Sequence, residues 1–310
     1  MGTDTQSNII NNNRGDRRLT HPTVDIQDAP VYLALHNSMY HEHNPVRLTA
    51  LDKLAEEIAD VHTEINNNYP QRYQFVVYTN PHYLVIDFYF KNHNEVDSFI
   101  CDSVEPELEI TEALSMLQSQ GIINKFYIPR VRNAEQFAYP QESGNGCFYY
   151  CLEFLKALKK YDDNELYNIL NTQSKTHYGN HYISWQKMPP EFYYLVQDND
   201  AWAAYKAYHQ NIPTKIYSPK RIAACDETRK RKLALNNNIL IEPYFYDEQN
   251  LIPAVVFEYE RSIVELNNLF GNSNCLEPSK LTPAIMKPEY NKLKKRLNGQ
   301  KRHDKNVITY

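Results

Sequence analysis

His82-Tyr83-Leu84-Val85-Ile86-Asp87-Phe88-Tyr89-Phe90 is the stretch on which the fold turns. His82, Leu84, Ile86, Phe88 and Phe90 share one face at period two, the spacing of a β-strand. Upstream, Leu51, Leu54, Ile58, Val61 and Ile65 recur at offsets of 3, 4, 3 and 4, the stripe of a helix. Thr49 with Asp52 resembles a capping box at its start, and Asn66-Asn67-Asn68 with Pro70 ends it. Gln74–Tyr78 predicts a strand joined to the quoted one across Asn80-Pro81. Downstream, Ser98–Cys101 predicts a strand ending at Asp102, Thr111–Gln120 a helix stopping at Gly121, and Lys125–Ile128 a strand closed by Pro129. A loop with Pro140, Gly144 and Gly146 leads into a helix on which Cys147, Cys151, Leu155 and Leu158 share a face. Asp163–Leu170 continues helically, and residues 171–190 read as loop. Beyond residue 210 the pattern weakens to a strand at Ala254–Phe257, a short helix at Ile263–Leu269 and a basic helix at Lys287–Leu297. This order of elements is α+β.

Composition narrows the class. The chain has 310 residues, 42% of them hydrophobic, enough for a sizeable core. No apolar run approaches the length of about 18 residues that a membrane span needs. Met1 to Arg18 is polar, so no Sec-type signal peptide is expected, and Gln6 breaks the myristoylation pattern that Gly2 begins. The 5 cysteines are scattered and odd in number, which fits a reducing compartment better than a disulfide framework. Net charge is −5, unevenly spread: residues 1–200 carry 15 basic and 27 acidic side chains, residues 201–310 carry 18 and 11. The basic final third suits either an acidic ligand or simply solvated helices. These shifts divide the chain into a poorly ordered segment 1–45, a core with helical flank 46–208, and a basic extension 209–310 of unknown role. Phosphate-binding glycine motifs are absent, and the 25 tyrosines lack a basic, glycine-aromatic context, so nucleic acid is not an expected partner. His41-Glu42-His43 with His36 reads as solvated rather than metal-binding, and the cysteine spacing does not suit zinc.

The residues that suit chemistry are His82, Asp102, Gln141 and Cys147, in that order. A thiol becomes a nucleophile as a thiolate, an imidazole can take its proton, and a carboxylate can orient the imidazole. Cys147 stands where a glycine-bearing loop enters a helix, whose positive end favours a thiolate. His82 opens one strand and Asp102 closes the next, so pairing would bring them together. Gln141, six residues before Cys147, could join the Cys147 amide in holding an oxyanion. Each residue also has a plainer reading: core histidine, turn-forming aspartate, buried cysteine. Cys151, on the same helix face, reads as core.

The order His, acid, Gln-x5-Cys resembles clan CE cysteine enzymes, which include ubiquitin-like-protein proteases and the YopJ family of bacterial effector acetyltransferases. Three segments favour the YopJ family: Asn67-Asn68-Tyr69-Pro70 before a strand, His82 to Asp87, and Pro189-Pro190-Glu191-Phe192-Tyr193-Tyr194-Leu195-Val196-Gln197 with Tyr205 downstream. The resemblance spans roughly residues 49–208. It implies a papain-like, clan CE core with a small mixed sheet, a nucleophile helix and a flanking helical regulatory lobe. It further implies acetyl transfer from acetyl-CoA through Cys147 to Ser, Thr or Lys of a host protein, by an effector delivered through a specialised secretion system. Asp102 stands where the family has Glu, with Glu105-Pro106 as the rival position. Phe148 replaces the glycine that follows the nucleophile, and Tyr194-Leu195 replaces a Lys-His pair. The latter change puts inositol hexakisphosphate, the family's activating cofactor, in doubt, unless Arg229-Lys230-Arg231-Lys232 or the cations at 292–296 substitute. Two other readings of the same residues are a ubiquitin-like-specific cysteine protease and a non-catalytic binding protein.

Overall fold

The computed structural model describes residues 29–40, 44–131, 138–141, 146–177, 179–210 and 214–236. In chain order they form α1 (Ala29–Tyr40), β1 (Arg47–Ala50), a 3-10 turn (Leu51–Lys53), α2 (Leu54–Ile65), β2 (Gln71–Tyr78), β3 (Tyr83–Asn92) and β4 (Glu95–Cys101). Then follow α3 (Leu108–Ser119), β5 (Lys125–Arg130), α4 (Cys147–Leu158), α5 (Asp163–Gln173), β6 (Lys175–His177) and β7 (Asn180–Ser184). A second 3-10 turn (Trp185–Lys187), α6 (Pro190–Tyr193), α7 (Asn199–Gln210) and α8 (Pro219–Asn236) complete the described chain.

One mixed sheet of seven strands, ordered β1-β2-β3-β4-β5-β7-β6, divides the molecule. β3 is its axis, antiparallel to β2 on one side and to β4 on the other. β4, β5 and β7 run parallel, so their C-terminal ends lie at the edge where β3 begins. Leu84, Ile86, Phe88 and Phe90 pack beneath α2 and α3. Tyr83, Val85 and Tyr89 face the second core, under α1, α4, α5 and the helices that follow. β3 is thus buried on both faces, where period two alone suggests one. Its apolar-rich run is the mark of a strand sandwiched between layers.

Sequence and structure agree best where apolar period is strong. In α2, Leu54, Ile58, Val61 and Ile65 are buried, and Asn66 and Asn67 end the helix at positive φ, 43° and 67°. The Thr49–Asp52 capping box is not formed: Thr49 sits in β1, and no side chain caps the turn that precedes α2. Gly121, at φ +73°, closes α3 as expected. Four readings change. Ala29–Tyr40, inside the segment read as poorly ordered, is a helix that buries Tyr32, Leu33, Leu35 and His36. Residues 171–190 hold β7 and the edge strand β6, both short and with little apolar signal. α4 is buried around nearly its whole circumference rather than on one face, Lys156 being half-buried and Glu153 neutralised within. Finally, α8 lies beyond the point where periodicity fades, because its inward stripe Ile222, Cys225, Arg229 and Lys232 is half basic. The elements expected at 254–257, 263–269 and 287–297 lie outside the described residues.

Candidate active site

The edge where β3 starts and β4, β5 and β7 end is also where α4 begins. Cys147 is the first residue of α4, with Gly146 as its N-cap. Its backbone N–H belongs to the first turn, whose donors have no partner within the helix. Cys101, Cys151 and Cys225 are buried, so Cys147 is the only described cysteine that is partly accessible. Burial pushes the Cys101 and Cys151 thiols well up and that of Cys225 up to about 12, which keeps all three protonated.

His82 leads directly into β3, and Asp102 directly follows β4. Their strands pair with Val85 opposite Cys101, which sets Asp102 diagonally inward from His82. Nε2 of His82 meets Oδ1 of Asp102 at 2.8 Å, and the same oxygen accepts from the Val104 amide at 3.1 Å. Cys147 also acts on the His82 imidazole, through hydrogen bonding and charge. Burial opposes charge on the imidazole. The hydrogen bonds and negative charges of Asp102 and Cys147 outweigh it and push His82 up to about 10. Of the two candidate acids, then, Asp102 is buried against His82, whereas Glu105 is exposed.

Gln141 is buried beside this trio. Its amide donates to the Ser103 carbonyl at 2.8 Å, and its Oε1 accepts from the Ser103 hydroxyl at 2.7 Å. All four residues singled out from the sequence therefore belong to one end of the sheet: His82 bridges Asp102 and Cys147, and Gln141 adjoins Asp102 through Ser103. Phe148 does not crowd the site. It is fully buried, and its ring meets Tyr83 edge-on at 5.1 Å and Tyr32 at 6.0 Å. Its bulk serves the core beneath the sheet.

Ser103, Pro140 and Tyr150 also hold the site, and sequence reading alone did not single them out as site residues. Tyr150 donates to the Pro140 carbonyl at 2.8 Å, immediately before Gln141. The basic run on α8 is not a four-cation surface. Arg229 and Lys232 are buried, with Lys232 3.5 Å from Glu153, while exposed Lys230 pairs with Asp226 and Glu227 at 3.0 Å. His36 is buried on α1, and His41-Glu42-His43 lies outside the described residues. Among the described residues no group of three or more metal-binding side chains occurs, and no helix is long and apolar enough to cross a membrane.

The family model described as YopJ Serine/Threonine acetyltransferase matches residues 3–272. Among solved structures, one of AvrA with IP6 and CoA aligns at TM-score 0.51 and 14% identity, over 76% of this chain and 86% of that one. A structure of HopZ1a in complex with IP6 and CoA aligns at TM-score 0.37 and 13% identity, over 56% of this chain and 66% of that one. No curated protein matches the sequence.

Proposed function

The chain belongs to the YopJ Serine/Threonine acetyltransferase family, and from that premise we propose that Cys147, His82, Asp102 and Gln141 carry its acetyl transfer. The α+β, clan CE-like fold and the acetyltransferase class follow from membership. The observation that supports the residue roles is the imidazole of His82 held between Asp102 and Cys147.

In the first half-reaction the Cys147 thiolate attacks the acetyl carbonyl of acetyl-CoA. The carbonyl oxygen becomes an oxyanion, held by the Cys147 amide and the Gln141 side chain. Collapse expels the CoA thiolate, which takes the His82 proton and leaves an acetyl thioester. Acylation also removes the Cys147 hydrogen bond and charge that help keep His82 protonated. The imidazole is then neutral and free to accept the acceptor's proton. In the second half an acceptor hydroxyl or amine attacks the thioester, His82 takes its proton, and the Cys147 thiolate leaves. Asp102 orients the ring throughout. CoA, present with AvrA, fits this donor role.

Host-protein serine, threonine or lysine side chains are the proposed acceptors, and delivery into a host cell by a specialised secretion system is the proposed route. We retain the division into core 46–208 and extension 209–310; among the described residues, α8 of the extension packs on the core. Inositol hexakisphosphate, present with AvrA, fits the described basic run poorly, since Arg229 and Lys232 are turned inward. A thermal-shift titration decides whether it binds at all.

Incubation with labelled acetyl-CoA, beside a ubiquitin-like activity probe, tests the reading. Label lost in Cys147→Ala, with no probe adduct, supports it. A probe adduct without label makes the protein a protease, and neither signal leaves a binding protein.

A further inference from the structure

We propose that Arg229 is a positioning residue that ties α8 to Gln141 and thereby sets the geometry of oxyanion stabilisation at Cys147. This rests on the reading of Gln141 given above. Arg229 occupies the inward stripe of α8 and is 2% exposed. Nη1 donates to the Tyr194 carbonyl at 2.9 Å and to the Val196 carbonyl, and Nη2 donates to Oδ1 of Asn199 at 2.6 Å. One planar guanidinium thus holds three points of the segment after α6, a task that suits its fork of donors and not a lysine ammonium.

That segment leads to the site. The Gln197 amide donates to the Pro140 carbonyl at 3.0 Å. The Tyr150 hydroxyl, on α4, meets the same carbonyl at 2.8 Å and the Leu195 carbonyl at 3.3 Å. Tyr193 adds a hydroxyl against the Ala138 carbonyl at 3.1 Å. Pro140 is bonded to Gln141, whose far side is fixed by Ser103 next to Asp102. Gln141 therefore stands between two anchors, one on the strand that supplies Asp102 and one that runs through residues 193–199 to Arg229. Misplacement by about 1 Å can cost on the order of 10²-fold in rate, so slack in the second anchor should be felt at the oxyanion.

The test separates this from a general loss of structure. Acetylation of Cys147 builds an oxyanion. Alkylation by iodoacetamide displaces iodide at a saturated carbon and builds none. In the full chain, Arg229→Gln should slow Cys147 acetylation by at least about tenfold while alkylation stays within about twofold. Tyr150→Phe should act in the same direction, and Arg229→Lys should recover little. Should Arg229→Gln fail to fold, Tyr150→Phe decides with the same two readouts. Wild-type acetylation rates in both variants, with Gln141→Ala slow, overturn the link and leave the oxyanion reading standing. A parallel fall in alkylation overturns it as a mere structural effect. Acetylation undiminished in Gln141→Ala removes the oxyanion reading and this proposal together.

Discussion

His82 carries its proton because Asp102 and Cys147 outweigh the cost of burying it, and that balance can be measured. Asp102→Asn removes the larger of the two charge-assisted hydrogen bonds. The His82 ring proton, followed by NMR, should then titrate well below the intact site, where it is pushed up to about 10. Acetyl transfer should fall by roughly 10²- to 10⁴-fold, the usual worth of positioned acid–base groups. The same shift has a stability sign. The folded-state value lies above the ordinary 6.5, so His82 stabilises the fold fully below about pH 6.5 and loses that effect as pH rises towards 10. Urea unfolding of wild type and His82→Gln should therefore differ by a constant amount in acid and converge in alkali. A gap that widens with pH would contradict the charge balance. The meeting of His82 and Asp102 was legible in sequence, since a histidine before one strand and an aspartate after the next need only one hairpin to meet, and the helix start at Cys147 was legible from its glycine-bearing loop. Ser103, Pro140 and Tyr150 were not, because a carbonyl or a tyrosine hydroxyl carries no pattern in the chain.

β3 and α4 meet at a second polar centre, at the far end from Cys147. Asp87, fully buried on β3, accepts from Nε of Arg72 at 3.0 Å, from Gln74 at 2.6 Å and from Tyr167 at 3.0 Å. Arg72 also donates to the carbonyl of Tyr161, just past α4, at 3.1 Å. The pair thus ties the end of α4 to the sheet. Arg72→Met leaves a buried carboxylate without its cation and should cost about 3–5 kcal/mol, read by urea unfolding. A loss below about 1 kcal/mol would show that Asp87 is satisfied without it. At the start of α5, Asp162 accepts from the Glu165 amide at 2.6 Å, so Asp162→Ala should cost about 1 kcal/mol in the same assay. α2 and α4 declared themselves in sequence by their apolar spacing, whereas α1 and α7 did not. α8 did not, because it fills its buried stripe with Arg229 and Lys232, whose charges are met by Tyr194, Val196, Asn199 and Glu153 from far along the chain.

Across the described molecule, acidic and basic halves meet inside. Glu153 pairs with Lys156 and Lys232, and Glu191 holds Arg221 at 2.5 Å and the Tyr161 hydroxyl at 2.5 Å. Asp226 gathers Lys206, Lys230 and the indole of Trp202. Among the described residues, Lys232 with Glu153 and Arg221 with Glu191 join the basic final third to the acidic remainder, pairs that composition alone could not distinguish from an acidic ligand. Both tryptophans, Trp185 and Trp202, share one core with Cys151. Their fluorescence change in denaturant should have the same midpoint as exposure of Cys151 to a thiol reagent, measured in Cys147→Ala. Separate midpoints would mean that α7 and α4 unfold independently.

The central claim is a covalent acetyl group on one sulfur, and peptide mass analysis after brief exposure to acetyl-CoA tests it most directly. The account predicts a gain of about 42 Da on the peptide containing Cys147, removed by hydroxylamine as a thioester is, and sharply reduced in His82→Ala. Undiminished acetyl transfer by Cys147→Ala, with no such adduct in the intact chain, would contradict it.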